Sequence, residues 1–229
     1  MKQGVNLPNM ADPAALVDLA VTAEQAGWDG VFLWDHVVYD DRIDLPVFDP
    51  WVVLGVGLGW PAIEDFQRFG ERSDDGLRAE MLDEGLDLIN ELWTGEHVRF
   101  EGDHFSVEAT MRPPPVQQPR PPVWVAGMWP NRRPFERATR WDGVVPLSAT
   151  PDADGVPLLR PAQVREVVDE VAHHRLSNAP FDVVVSGHWE ESPTDYAEAG
   201  ATWLIESRNA FPGWVDDLRA SVERGPAVL

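Results

Sequence analysis

Asp35-His36 stands just past the C-terminal end of an apolar run, Gly30 to Trp34, that reads as a strand. Imidazole titrates near neutrality, so His36 is the best candidate in the chain for moving a proton, with Asp35 as its charged neighbour. A histidine that is merely hydrogen-bonded at a strand end is the competing structural reading. Further along, Gly55-Val56-Gly57-Leu58-Gly59-Trp60 places glycine at three alternate positions after the apolar run Trp51 to Leu54. Side chains in a strand alternate between its faces, so the spacing predicts one face left bare. Bare strand marks close approach by a ligand or by another backbone, and something flat could lie there with Trp60 as a wall. Alternatively, the glycines only let a neighbouring helix sit close. The spacing is not a dinucleotide fingerprint, because Trp60 stands where the third glycine would be needed. A third constellation, Gly127-Met128-Trp129-Pro130-Asn131-Arg132, joins a predicted strand to a predicted helix. It offers backbone N–H groups, a helix N-terminus and guanidinium donors, the chemistry of anion binding.

Composition bounds what these groups can serve. The 229 residues suit one domain spanning 1–229, and 44% hydrophobic residues suffice for a packed core,. A formal net charge of −21 works against binding nucleic acid or an anionic membrane surface,. With no cysteine, disulfides and thiolate chemistry are excluded, and a cytoplasmic protein with no membrane span is expected. Lys2 is the only lysine, while Arg132, Arg133, Arg137 and Arg140 crowd into one short stretch of this acidic chain. That cluster reads either as an anion site or as a solvated helix face. Asp35, His36, Asp40, Asp41 and Asp44 are suitable hard metal ligands, but no two histidines show a ligand spacing. No metal site is expected.

The elements that must carry these groups alternate. A strand at Gln3–Leu7 is followed by a helix capped by Asp12, with Pro13 at its first position and Leu16, Leu19, Ala20 and Ala23 as its apolar stripe,. Gly27 ends it, and the strand Gly30–Trp34 completes a βαβ unit. A helix over 74–93, a short hairpin around Gly102-Asp103, and a proline-rich connector lead to a strand at Val123–Ala126. The arginine-bearing helix follows, then strands at 143–147, 181–185 and 202–205 interleaved with helices over 162–176, after Ser192-Pro193, and at the C-terminal end. Such alternation predicts an α/β fold with a mainly parallel sheet. The unit between Trp34 and Trp51 departs from it, having no helical pattern.

Several collinear pieces carry a resemblance. They include Gly4-Val5-Asn6-Leu7-Pro8-Asn9, Ala23 to Gly30, Trp34-Asp35-His36, Phe48-Asp49-Pro50-Trp51 and Gly55 to Trp60. Leu82 to Leu86, Leu92-Trp93-Thr94-Gly95, Phe100-Glu101-Gly102, Pro113 to Gln117, Val123 to Gly127 and Arg140-Trp141-Asp142-Gly143 continue the series. Together they resemble the luciferase-like monooxygenase superfamily, whose members are (β/α)₈ barrels using FMN or the deazaflavin coenzyme F-420. In that family Phe-Asp-Pro-Trp opens a helix leading to a third strand and a third helix. Here the same residues run straight into the glycine strand, which implies a TIM-barrel-like (β/α) barrel with about seven parallel strands and a small β-hairpin insertion. Strand number, tilt and stagger are linked in closed barrels, and an open edge invites pairing with another chain, so a homodimer is expected.

The resemblance also implies roles. Barrel chemistry sits at the C-terminal ends of strands, where Asn6, Asp35, His36, Gly57, Gly59, Trp60, Gly127 and Met128 would gather around the flavin-like ring. Relatives use a histidine near His36, and their counterpart of the 127–132 turn helps hold the cofactor's phosphate tail, which points to Asn131 and Arg132. The implied activity is oxidation of a small organic substrate by hydride transfer at the flavin. A catalytically inactive scaffold with a binding or assembly role remains the alternative, because the segment that backs the flavin in relatives is missing.

Overall fold

In the computed structural model, Asp12 accepts a hydrogen bond from the Ala14 N–H at 2.9 Å and opens helix α1 (Pro13–Gln25), the cap that the sequence predicts,. Residues 1–8, 12–34, 54–59, 66–111, 114–115, 117–150, 157–187, 192–207 and 213–226 are described by the structure. Gly27 takes φ 88° just after α1, a left-handed conformation that glycine adopts without strain, and returns the chain toward the sheet,.

Among the described residues nine strands follow in chain order: β1 (Lys2–Leu7), β2 (Gly30–Leu33), β3 (Leu54–Val56), β4 (His97–Glu101), β5 (Ser106–Thr110), β6 (Val123–Trp129), β7 (Gly143–Ser148), β8 (Asp182–Gly187) and β9 (Trp203–Ser207). Seven of them form one sheet in the order β2-β1-β9-β8-β7-β6-β3, and every neighbouring pair is parallel. The helices between them are α1, α2 (Asp75–Leu92), α3 (Arg133–Ala138), α4 (Pro161–His174), α5 (Pro193–Ala199) and α6 (Trp214–Arg224). Strands β4 and β5 form the expected separate antiparallel hairpin. The seven-stranded, TIM-barrel-like reading therefore holds, with β2 and β3 as the two edge strands among the described residues.

The two faces of the sheet are told apart by what packs on them. Val5 and Leu7 of β1 join Leu19 and Ala23 of α1 and Trp214, Leu218 and Val222 of α6 in one buried cluster. Val123, Val125, Val144, Val183, Val185 and Leu204 join residues of α2, α3, α4 and α5 in a larger one. These strand residues face outward, toward helices. The alternate positions form a third cluster made of strand residues alone: Trp124, Val184, Trp203 and Ile205, with Phe32 and Val145 against them, which is the interior of a curled sheet. The Phe32 ring, on edge strand β2, lies 5.4 Å from the Trp124 ring on β6 and 5.6 Å, edge-on, from the Trp203 ring on β9. Phe32 and Trp124 come from strands five places apart in the sheet, and their rings can touch only if the sheet curls back on itself. Pairs of this geometry add about 0.5–1.5 kcal/mol each beyond their buried area.

Among the described residues no helix is long and apolar enough to cross a membrane.

Candidate functional site

Strand β3 presents its two faces as the glycine spacing predicts. Leu54 and Val56 pack outward against the helix-facing cluster, so Gly55 faces the interior. A Cβ placed at Gly55 would meet nothing within 4 Å, and one at Gly57 would meet only the Ala126 Cβ, at 3.4 Å. Gly59 differs. The strand ends at Val56, Gly59 takes φ 76°, and a Cβ there would lie 2.3 Å from the Phe66 ring. Period two thus carries the bare ribbon through Gly57, and Gly59 instead makes the turn that closes it.

The turn has a holder that the sequence reading missed. Arg78, one turn into α2, is only 7% exposed. Its Nη1 donates to the Leu58 carbonyl and, at 3.4 Å, to the Gly59 carbonyl. Its Nη2 pairs with Asp75 at 2.6 Å, and its guanidinium lies 4.4 Å above the Phe66 ring. A charged residue standing in the stripe Arg78, Leu82, Leu86, Ile89 was the available signal, since a lone charge on a buried helix face must have a partner.

Across the sheet, Asn6 shares the interior face of β1 with Gly4. With its amide oriented to satisfy both neighbours, its oxygen accepts from the Trp34 Nε1 at 2.8 Å and its nitrogen donates to the Phe32 carbonyl at 3.3 Å. Asn6 thereby fixes the end of β2, from which the chain continues into Asp35 and His36. Asp35, His36 and Trp60 lie outside the described residues.

Gly127 and Met128 sit at the far end of β6. Gly127 is buried against the outer helix layer, where a Cβ would fall 2.4 Å from the Pro134 Cβ. Its missing side chain serves the seating of α3. Met128 shares the inward face with Trp124 and Ala126, and its carbonyl accepts from the Asn131 N–H at 2.9 Å. Asn131 is exposed.

The arginine cluster is largely taken up by carboxylates. Arg137, 10% exposed, holds Asp83 of α2 through two hydrogen bonds, at 2.7 and 3.0 Å. Arg140 reaches the same carboxylate. Arg132, 68% exposed, pairs with Glu170 of α4 at 3.2 Å. These bonds tie α3 to its neighbours, so at Arg137 the cluster is a buried pairing between helices rather than the solvated face that was the alternative to an anion site. Bidentate arginine–carboxylate pairs are among the stronger of such contacts.

Glu84, also on α2, anchors the hairpin. Its carboxylate accepts from the backbone N–H groups of Asp103, His104 and Phe105 at 2.6–3.1 Å. Burial pushes its pKa up, but those donors from Phe105, His104 and Asp103, aided by the charge of His104, outweigh it and leave the carboxyl below its ordinary range,. A depression lined by Lys2, Asp182, Thr202 and Trp203 opens at the opposite, N-terminal end of the strands. Asp182 there is bonded to Thr202 at 2.9 Å, and in barrels of this kind that end serves stability rather than chemistry.

The luciferase-like monooxygenase family model matches residues 52–199. The chain belongs to that family. An F420-dependent glucose-6-phosphate dehydrogenase from Microbacterium testaceum is 29% identical over 164 residues, covering 52% of this luciferase-like chain and 48% of the relative. The oxygenase component of a flavin-dependent trigonelline monooxygenase from Acinetobacter baylyi is 31% identical over 133 residues, covering 57% of this chain and 35% of the relative. The chain thus matches about half or less of the length of these curated relatives. Among solved structures, an F420-dependent secondary alcohol dehydrogenase bound to an F420-acetone adduct superposes with a TM-score of 0.70 at 13% identity, covering 98% of this chain and 100% of that one. The coenzyme F420-dependent tetrahydromethanopterin reductase of Methanopyrus kandleri gives 0.66 at 12%, covering 98% of each. At these identities the structural likeness speaks to the fold alone, here a curled, seven-stranded, TIM-barrel-like parallel sheet.

Proposed function

We propose that this chain is a deazaflavin- or flavin-dependent oxidoreductase that seats the cofactor's planar ring against the Gly55–Gly57 ribbon. The observation that carries the reading is the open space beside Gly55 and Gly57 on the interior face, which runs past the end of β3 at Val56 toward the C-terminal side of the strands, where barrel chemistry resides. A flat ring system fits backbone stripped of side chains and would be crowded out by any Cβ branch there. Three curated relatives named as F420-dependent support the deazaflavin first, and FMN is the second choice.

The bound ring would supply hydride chemistry toward a small organic substrate. The chain's own residues do the rest. Asn6, bonded to Trp34, lines the site, with His36 as the group that holds or moves a proton and Asp35 as its charged neighbour. Met128 and Trp60 wall the ring, Gly59 and the backbone of Gly127 close the rim, and Asn131 with Arg132 takes the phosphate-bearing tail once Arg132 exchanges Glu170 for the anion. Edge strands β2 and β3 support a homodimer.

Titration of the purified protein with F420 and with FMN, followed by fluorescence quenching, tests the reading. Saturable binding of either supports it, and no binding at high micromolar concentration leaves the non-catalytic scaffold in its place. Arg132→Ala should weaken binding by roughly tenfold, the size of one charge-assisted hydrogen bond. Equal affinity would remove Arg132 from the tail site.

A further inference from the structure

Resting on that function, we propose that Arg78 is the positioning residue of the site: it clamps the Leu58–Gly59 turn and so holds the bare glycine ribbon in the shape that receives the ring. Three observations carry this. First, Arg78 is buried to 7% exposure yet spends its donors on the two carbonyls that close the ribbon, with Asp75 at 2.6 Å as its counter-charge. A buried guanidinium is costly to desolvate, and its use on backbone acceptors ties that segment to α2. Second, Gly59 is fixed from both sides. Phe66 lies where a Cβ would stand, and Arg78, whose guanidinium is 4.4 Å from the Phe66 ring, brings Nη1 within 3.6 Å of the same position. Third, the Arg78 Nε is buried without a hydrogen-bond partner among the described residues. A guanidinium seated only for stability would find acceptors for its buried N–H groups. Here geometry toward Leu58 and Gly59 is satisfied at the expense of Nε.

A short three-residue strand at a sheet edge has little of its own to keep its shape. It pairs with β6 over Leu54–Val56 alone, and the chain beyond Val56 is outside that ladder. Drawing the Leu58 and Gly59 carbonyls toward the helix layer turns acceptors away from the interior and leaves the ribbon's inward side free of them. Preorganised backbone binds more tightly because the ordering is already complete before the ligand arrives.

The test is amide hydrogen exchange on the ligand-free protein, read at residues 54–59 against the hairpin 97–110 as internal reference, paired with F420 and FMN titrations. Arg78→Met keeps the volume and removes every donor. It should speed exchange at 54–59 by roughly tenfold, leave the hairpin at its wild-type rate, and weaken cofactor binding by roughly tenfold, as expected for loss of a charged hydrogen bond. Arg78→Lys, which retains the charge but gathers its donors on a single nitrogen, should fall between the two. If Arg78→Met does not fold, Arg78→Lys and Phe66→Leu carry the same comparison. Unchanged exchange at 54–59 overturns the clamp, as does faster exchange with wild-type cofactor affinity. If the wild type binds neither cofactor, the functional reading falls, while the exchange result still decides whether Arg78 holds the turn.

Discussion

Glycines on the interior face of the sheet are used in two opposite ways. On β1, β2 and β7 their recesses are filled by aromatic rings: Cβ atoms at Gly4 and Gly143 would fall 2.6 Å from Phe32 and 2.7 Å from Trp124, and one at Gly30 would lie 3.1 Å from Phe32. On β3 the recesses at Gly55 and just beyond, at Gly57, stay open. Residue type is the same, and strand alternation brings all of them to the same side. What separates a filled recess from an open one is which way the neighbouring ring turns: Trp124 is in register with both Gly143 and Gly55, and its ring enters the recess at Gly143. Phe32, Trp124 and Trp203 fill the recesses on one side, while Ala126 faces Gly57 on the other.

The contrast can be broken from either side, and the filled side should respond most. Trp124→Ala removes the ring shared by three strands and should lower stability by about 3–5 kcal/mol, measured by denaturant unfolding. A loss below about 1 kcal/mol would mean that the interior is not packed around it. Gly143→Ala pushes a methyl into Trp124 and the Asp182 carbonyl, each 2.7 Å away, and should cost about 1–3 kcal/mol. The same kind of change on the open side inverts the outcome. Gly55→Val should stay within about 0.5 kcal/mol of wild type yet abolish cofactor quenching. A variant that binds normally would show that the ring lies elsewhere.

The smallest effect concerns the hairpin, which neither fills nor opens the interior. A carboxyl held below its ordinary value in the folded protein stabilises above that ordinary value, and the contribution fades as pH falls through the lowered one. Glu84→Gln should therefore speed amide exchange at 103–105 at neutral pH, and the gap from wild type should close on acidification below the ordinary carboxylate range. A gap that is constant with pH would assign the anchor to shape rather than to charge.

Local signals were legible in the sequence wherever their cause is local. Asp12, Ser192 and the proline after each cap fix helix starts by bonds within three residues. The count of about seven strands followed from the family resemblance less its missing segment, and the bare face at Gly55 from the glycine spacing. Bonds spanning the chain were not legible. Nothing near Arg137 announces that its partner is Asp83, 54 residues earlier. Nothing near Gly127 says that Pro134 will occupy its recess. Gly59 escaped because one positive φ ends the two-residue period, and Arg78 because its acceptors are backbone atoms, which leave no mark in side-chain type.

The Lys2 ammonium lies 4.8 Å from the centre of the Trp203 ring, at the floor end of the strands and away from the glycine ribbon. Because the chain has no other lysine side chain, amine-directed coupling through that group would attach the protein to a surface by its base. The opposite rim would remain free for ligands, and the stacked indole beneath the attachment point would report through its emission that coupling had occurred.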